Sequence, residues 1–401
     1  MSWAEITIGQ LVDIKHGFAF KGEHFSNSGR YVVLTPGNCE NSGGFKSRGD
    51  REKWYSSDIP EGYILNEGDL LVVMTDLVNT APVLGGCFII PESDKYLHNQ
   101  RLGLIHVLNE KKVSKNFLYY LFNTYTYRSQ IRGSASGATV RHTSPARIKD
   151  CIVKIPQNRA EQQRISSILS TYDALIENNR RRIFLLEEAA RQLYKEWFVR
   201  FRFPGHEHVK IVDGLPQGWR NENLFVLATA TYGYAFKSEL FNEDKVGRPV
   251  VRIRDVPDRK SGTWTTEEAP SDKILENGDF LVGMDGDFHM NFWAGGTAWL
   301  NQRVVRLAGN SRFATGLLRN AIEQQIKDLN ETITGTTVKH LGAKHLNKIC
   351  LVVPNDVLLD QANEFFENVR NMVVSLSVAN EQLAKARDLL LPKLMNGTLA
   401  V

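Results

Sequence analysis

The sequence predicts an α+β chain: two homologous α/β domains separated by an antiparallel two-helix coiled coil, the whole a pseudo-twofold internal repeat. Three observations predict it. Short motifs recur in the same order in both halves of the 401 residues, as in duplicated architectures. Each half ends in a heptad seam. Each seam carries one central Asn. In the first, Ile165, Leu169, Tyr172, Ile176, Asn179, Ile183, Leu186, Ala190, Leu193 and Trp197 alternate in steps of four and three. That spacing favours a long helix with a helical partner. Adding 197 from Leu169 onward gives Phe366, Val369, Val373, Leu376, Asn380, Leu383, Arg387, Leu390 and Leu394, the same seam in the same phase.

A buried polar residue in a seam sets register, since misalignment strands its hydrogen-bonding groups among apolar side chains. Parallel pairing by the repeat sets Asn179 against Leu376. Antiparallel pairing sets Asn179 opposite Asn380, Ile176 opposite Leu383, Leu186 opposite Val373 and Leu193 opposite Phe366. It also sets Arg387 over Tyr172, in position for a cation–π contact. The expected rod is ~50 Å long at ~1.5 Å per residue.

Taken in order, GFAFKGEHF at 17–25 returns as GYAFKSELF at 233–241, and Trp3 matches Trp219. LNEGDLLV at 65–72 returns as LENGDFLV at 275–282; in each, a polar turn with Gly precedes an apolar run read as a strand. Val32–Leu34 reads as a further strand. Residues 115–130 and 313–329 read as helices. Asn99-Gln100-Arg101 returns as Asn301-Gln302-Arg303, and GATVRH at 137–142 as GTTVKH at 335–340. Asn158 and Asn355 are expected N-caps of the long helices. Pro204-Gly205 stops the first, Pro392 bends the second, and Asn396-Gly397 caps its C-terminus. The expected boundaries are 1–157 for the first domain, 158–202 for the first long helix and 203–214 for a linker. Residues 215–354 form the second domain, and 355–401 the second long helix and tail.

Composition limits the function. Apolar content of 42% with a net charge of +4 describes a globular chain with ample core, and permits a nucleic-acid partner without demanding one. No run approaches a membrane span, and the N-terminus lacks a signal pattern. Cys39, Cys87, Cys151 and Cys350 lie far apart, without a CxxC, which fits a reducing cytoplasm and argues against a zinc site. No phosphate-binding GxxxxGK[ST] loop is present. Nor is there an Asn/Asp-Pro-Pro-aromatic motif of the kind amino-methyltransferases use. Pro257-Asp258 is not followed by a nuclease Glu-x-Lys. His206-x-His208 has no Cys nearby and reads as solvated loop histidines.

LYKEWFVRF at 193–201, Leu215-Pro216-Gln217-Gly218-Trp219, GYAFKSELF and the ending LLLPKLMNGTL at 389–399 resemble the specificity subunit of Type I restriction–modification enzymes. The resemblance runs along the whole chain. It implies two target-recognition domains, each reading one half of an asymmetric bipartite site in double-stranded DNA. The coiled coil would set the gap between halves and help dock two modification (methyltransferase) subunits. Restriction subunits would join to complete a nuclease. The specificity subunit itself performs no chemistry, so no cofactor is expected. A recognition subunit of a methylation-only or other phage-defence assembly shares these features. A coiled-coil scaffold that never touches DNA is the remaining alternative.

Duplication sorts the DNA-contact candidates. If the domains read different bases, shared features build the fold or touch phosphate, and base readers lie where the halves diverge. Among shared cations, Lys21 and Lys237 suit phosphate or solvent. Arg141 and Lys339 suit either phosphate or a structural turn. The two Asn-Gln-Arg runs have base-reading chemistry, but being shared they read as scaffold. Divergent candidates are Lys46, Arg48, Arg51 and Lys53, among Phe45, Trp54 and Tyr55. Their counterparts in the second half are Arg252, Arg254, Arg259, Lys260 and Trp264, followed by Asp287, His289 and Asn291. Arg can read guanine, Asn adenine, and Asp the cytosine amino group. A charged surface loop is the plain alternative for each.

Overall fold

A computed structural model describes residues 2–333 and 339–401. The chain divides into two compact units: Met1–Ala174 with Ala384–Val401, and Leu175–Leu383.

In the first unit, Leu70–Val73 is the pivot. All four residues are buried. Successive strand side chains point to opposite faces, so an unbroken apolar run needs a core on both sides. Leu70 and Val72 enter one apolar cluster, while Leu71 and Val73 enter another. This strand lies third in an antiparallel sheet ordered Val12–His16, Leu102–Val107, Leu70–Val73, Cys87–Ile89. A second sheet runs Phe25–Ser26, Trp54–Tyr55, Tyr31–Val33, Tyr96–Leu97, the last pair parallel. Trp3–Thr7 pairs with Ile152–Pro156, the strand that feeds the first long helix.

The second unit repeats this plan. Its main sheet runs Ala228–Tyr232, Val304–Gly309, Phe280–Gly283, Met290–Phe292. Its second sheet runs Phe241–Asn242, Trp264–Thr265, Arg248–Val251, Ala298–Leu300, Ile274–Leu275. Arg220–Asn223 pairs with Cys350–Val353. Strand order and direction match the first unit throughout the shared elements, so the sequence repeat is a repeat of topology. The turns repeat as well: the Asp69 carboxylate accepts from the Asn66 N–H, and Asp279 from Glu276, both at 2.9 Å.

The long helices are Arg159–Tyr194 and Asp356–Met395. The Asn158 side chain accepts from the Ala160 N–H at 2.9 Å, and Asn355 from Leu358 at 3.0 Å. These caps satisfy donors that the first turn of a helix leaves free. Gly397, at φ 77°, follows the second helix in a left-handed conformation. The helices run antiparallel. In the second unit Asn179 donates to Asn380 at 3.0 Å. Both Asn are half-buried.

The structure departs from expectation at four places. Arg387 does not sit over Tyr172; it donates to Asp173 at 2.5 Å, and Asp173 also accepts from Tyr120 at 2.6 Å. A half-buried guanidinium gains more from a carboxylate than from a ring face. Residues 115–130 are not one helix but two, Lys115–Phe122 and Tyr125–Ser134. Asn123 breaks them, because its side chain exchanges hydrogen bonds with the backbone of Cys87; the second half keeps one helix, Thr315–Thr332. The first long helix ends in a π-turn, Lys195–Val199, which stacks Phe198 on Tyr194 at 4.8 Å. Finally, the long helices are not a bare strut. Ile165, Leu169, Leu394 and Met395 share a core with the first unit's sheet, and Ile183, Ala190, Phe366 and Val373 share one with the second's.

Candidate nucleic-acid interface

The shared motifs explain one another. Gly17 lies against the Asn99 carbonyl, and a Cβ there would sit 2.0 Å from its oxygen; Gly233 meets Asn301 at the same 2.0 Å. Only glycine permits that approach. Across this contact the Phe18 N–H donates to the His98 carbonyl and the Gln100 N–H to the Phe18 carbonyl, as Tyr234 does to Leu300 and Gln302 to Tyr234. The Asn99 side chain accepts from the Arg101 N–H at 3.0 Å. The Gly-aromatic-Ala-Phe-Lys and Asn-Gln-Arg motifs are therefore two sides of one internal joint.

The cations of the other shared motif are also engaged. Arg141 donates to the Arg132 carbonyl at 3.1 Å and to Gly137 at 3.2 Å. Lys339 donates to the Asn330 carbonyl at 2.5 Å. Each neutralises the carbonyl-rich end of the preceding helix. Residues 335–338 of the second copy lie outside the described residues. The adjoining histidines face equivalent partners: His142 Nδ1 meets Thr75 Oγ1 at 3.1 Å, and His340 Nδ1 meets Asp285 Oδ1 at 2.6 Å. Arg303 completes the second cluster, 3.3 Å from Asp285.

In the divergent stretch of the first unit the aromatics turn inward. Phe45 packs 5.3 Å from Tyr96, and Tyr55 is buried. The cations stay outside. Lys46, Arg51 and Lys53 are exposed, and Lys46 lies 3.7 Å from Glu40. Arg48 is half-buried and donates to Thr35 at 3.3 Å. Lys21 is exposed near this sheet, 3.9 Å from Glu23. The loop that follows the pivot strand, with Met74-Thr75-Asp76 and Asn79, is the sequence counterpart of the Asp287–His289 stretch in the second half. Buried Asp76 folds it by accepting from the Val78 and Val83 N–H groups at 3.0 and 2.7 Å, which leaves Leu77 and Val78 exposed at its tip.

In the second unit, Lys237, Arg254 and Lys260 are exposed. Arg254 donates to Thr263 at 3.0 Å. The half-buried Arg252 guanidinium lies 5.7 Å over Phe241, and its N–H donates to Asp255 at 2.8 Å. Burial pushes the Asp255 carboxyl above its ordinary range, against the pull of that bond and of Arg254. Asp287 and His289 are exposed, 4.0 Å apart, on a loop held down by buried Phe288. Arg259, grouped with these by sequence, is withdrawn from the surface by Glu187, Asn291 and Ser377. His206 turns Nδ1 to the Phe203 carbonyl at 2.9 Å. Among the described residues no cluster of metal-ligating side chains is found, and no helix is long and apolar enough to cross a membrane.

Residues 1–188 match the family model described as the Type I restriction modification DNA specificity domain. Over 186 residues the chain is 28% identical to the EcoBI specificity subunit of Escherichia coli, covering 45% of this chain and 39% of that protein. The first 188 residues thus carry the similarity to that specificity domain. A second relative, the MjaIX specificity subunit of Methanocaldococcus jannaschii, is 25% identical over 319 residues, 75% of this chain and 72% of its own. The fold is that of the Type I restriction–modification S subunit from M. genitalium. That structure aligns with a TM-score of 0.60 at 17% identity over 98% of this chain and 96% of the other. The chain thus spans about two-fifths of the first relative and nearly three-quarters of the second.

Proposed function

We propose that this chain is a Type I specificity subunit that reads a bipartite, asymmetric site in double-stranded DNA, residues 1–157 recognising one half and 215–354 the other. The observation that carries the reading is the duplicated topology, with some stretches alike in both copies and others not. Apart from the exposed Lys21 and Lys237, the motifs common to both copies are consumed in internal joints and helix ends. The stretches that differ carry the exposed Lys46, Arg51, Lys53, Arg254, Lys260, Asp287 and His289. Arg48 and Arg252 stand at their margins. A reader of two different words needs that division of labour.

The same reading assigns the helix pair two tasks: fixing the gap between half-sites through the Asn179–Asn380 register, and docking two modification subunits. Restriction subunits would join the assembly in the cytoplasm. The chain itself would perform no chemistry; methyl donor, ATP and magnesium would belong to its partners. Since a base to be methylated must leave the stack, this subunit would hold the duplex while the partner extrudes it. Mapping methylated bases across the genome of cells with and without the chain tests the proposal. One gapped, asymmetric motif should vanish with the chain; loss of no motif, or of an ungapped palindrome, would refute it.

A further inference from the structure

Arg259 is oddly placed for a residue in a surface stretch. It is one of few non-glycine residues with positive φ, at 54°, a conformation that costs of order 1 kcal/mol and persists only where surroundings impose it. Its side chain is only 16% exposed. The guanidinium fork reaches three elements at once. Nη2 donates to Glu187 of the first long helix at 2.6 Å, Nε to Asn291 of the main sheet at 2.8 Å, and Nη1 to Ser377 of the second long helix at 3.5 Å. Asn291 in turn donates to the Pro257 carbonyl at 3.1 Å, so the loop is gripped twice. Arg319 flanks Glu187 at 3.9 Å. Burial pulls the Arg259 pKa down, and Glu187 opposes this. The corresponding stretch of the first unit is tied elsewhere, by Arg128 to the Asn41 carbonyl at 2.5 Å.

We infer that Arg259 is a positioning residue for base recognition: it pins residues 252–264 to both long helices and so sets the pose of Arg252, Arg254 and Lys260 at one half-site only. The inference rests on the DNA-reading function proposed above. An Arg fork suits the task, because its planar donors fix angle as well as distance.

The test is selection of bound sequences from a randomised duplex pool by the full-length chain, as wild type, Arg259→Ala and Glu187→Gln. Wild type should return two half-motifs. Arg259→Ala should lower base preference about tenfold in one half, the worth of about one good base contact. The other half and the salt dependence of binding should stay unchanged. Glu187→Gln, which keeps the side chain's size, should weaken the same half less. An Arg259→Ala motif identical to wild type in both halves overturns the inference. So does equal weakening of both halves with a lowered melting temperature, which marks a general folding role. If wild type itself selects no motif, the DNA-reading assignment falls and takes this inference with it.

Discussion

Replacing Asn179 and Asn380 by Leu, singly and together, probes the seam that organises the chain. The two amides share one hydrogen bond of 3.0 Å. Such a bond contributes about 1 kcal/mol net, and a partner left unpaired in a desolvated site costs about 1–3 kcal/mol. Both residues are half-buried, so water relieves part of that cost. Each added Leu recovers some apolar burial, at about 25 cal/mol per Å². Either single variant should therefore lose about 1 kcal/mol. The double variant should lose nothing or gain about 1 kcal/mol, since no stranded amide remains and two Leu meet. The coupling between the sites is then about 2 kcal/mol. Urea unfolding of the full chain, followed by its helical signal, measures it from four midpoints at equal slope. Additivity within about 0.3 kcal/mol would refute the reasoning. The double variant should also pay in specificity, as apolar seams tolerate slipped registers.

Two further outcomes follow from the first unit and its counterpart. His98 is fully buried, with Nε2 on the Leu102 carbonyl at 2.9 Å and Nδ1 without a partner. Burial holds its pKa down at about 4, against the ordinary 6.5. The unfolded chain therefore takes a proton that the folded chain refuses. Stability should fall as pH drops from about 6.5 toward about 4, by up to roughly 3 kcal/mol. His98→Gln should flatten that part of the pH–stability curve relative to wild type; an unchanged curve would contradict the assignment. Among cations, Arg141→Ala should lower the melting temperature and leave the salt slope of DNA binding alone. Lys46→Ala with Lys53→Ala should reduce that slope by about 1 for each phosphate left without its cation, so a flatter slope for Arg141→Ala would reverse their roles.

The fold was legible where its cause is local. A heptad seam repeats every turn or two, so Ile165 through Trp197 announces a helix and a partner without any tertiary knowledge. The antiparallel sense came from matching one polar residue in each seam. The pivot strands showed themselves as apolar runs bounded by turns. What escaped depends on residues far apart in the chain. Asn123 reads as an ordinary helix residue until Cys87 lies beside it. Gln162, wholly buried, joins the first long helix to its domain by accepting from Ser114 at 3.1 Å and donating to Pro156 at 2.9 Å; nothing in its neighbourhood marks it. Arg259 looks like any other basic loop residue, and only Glu187 and Asn291 reveal its use. Conversely, comparing the two copies separated scaffold from candidate reader better than residue chemistry did. Arg141 and Asn99 have the right groups for DNA and spend them on backbone.

The central claim is that two related domains read two different words independently. Exchanging residues 1–157 for those of another specificity subunit, then mapping methylated bases in cells carrying the hybrid, tests it most directly. The hybrid should methylate a motif in which one half and not the other has changed, with the gap between them kept. Change in both halves, or in neither, would contradict it.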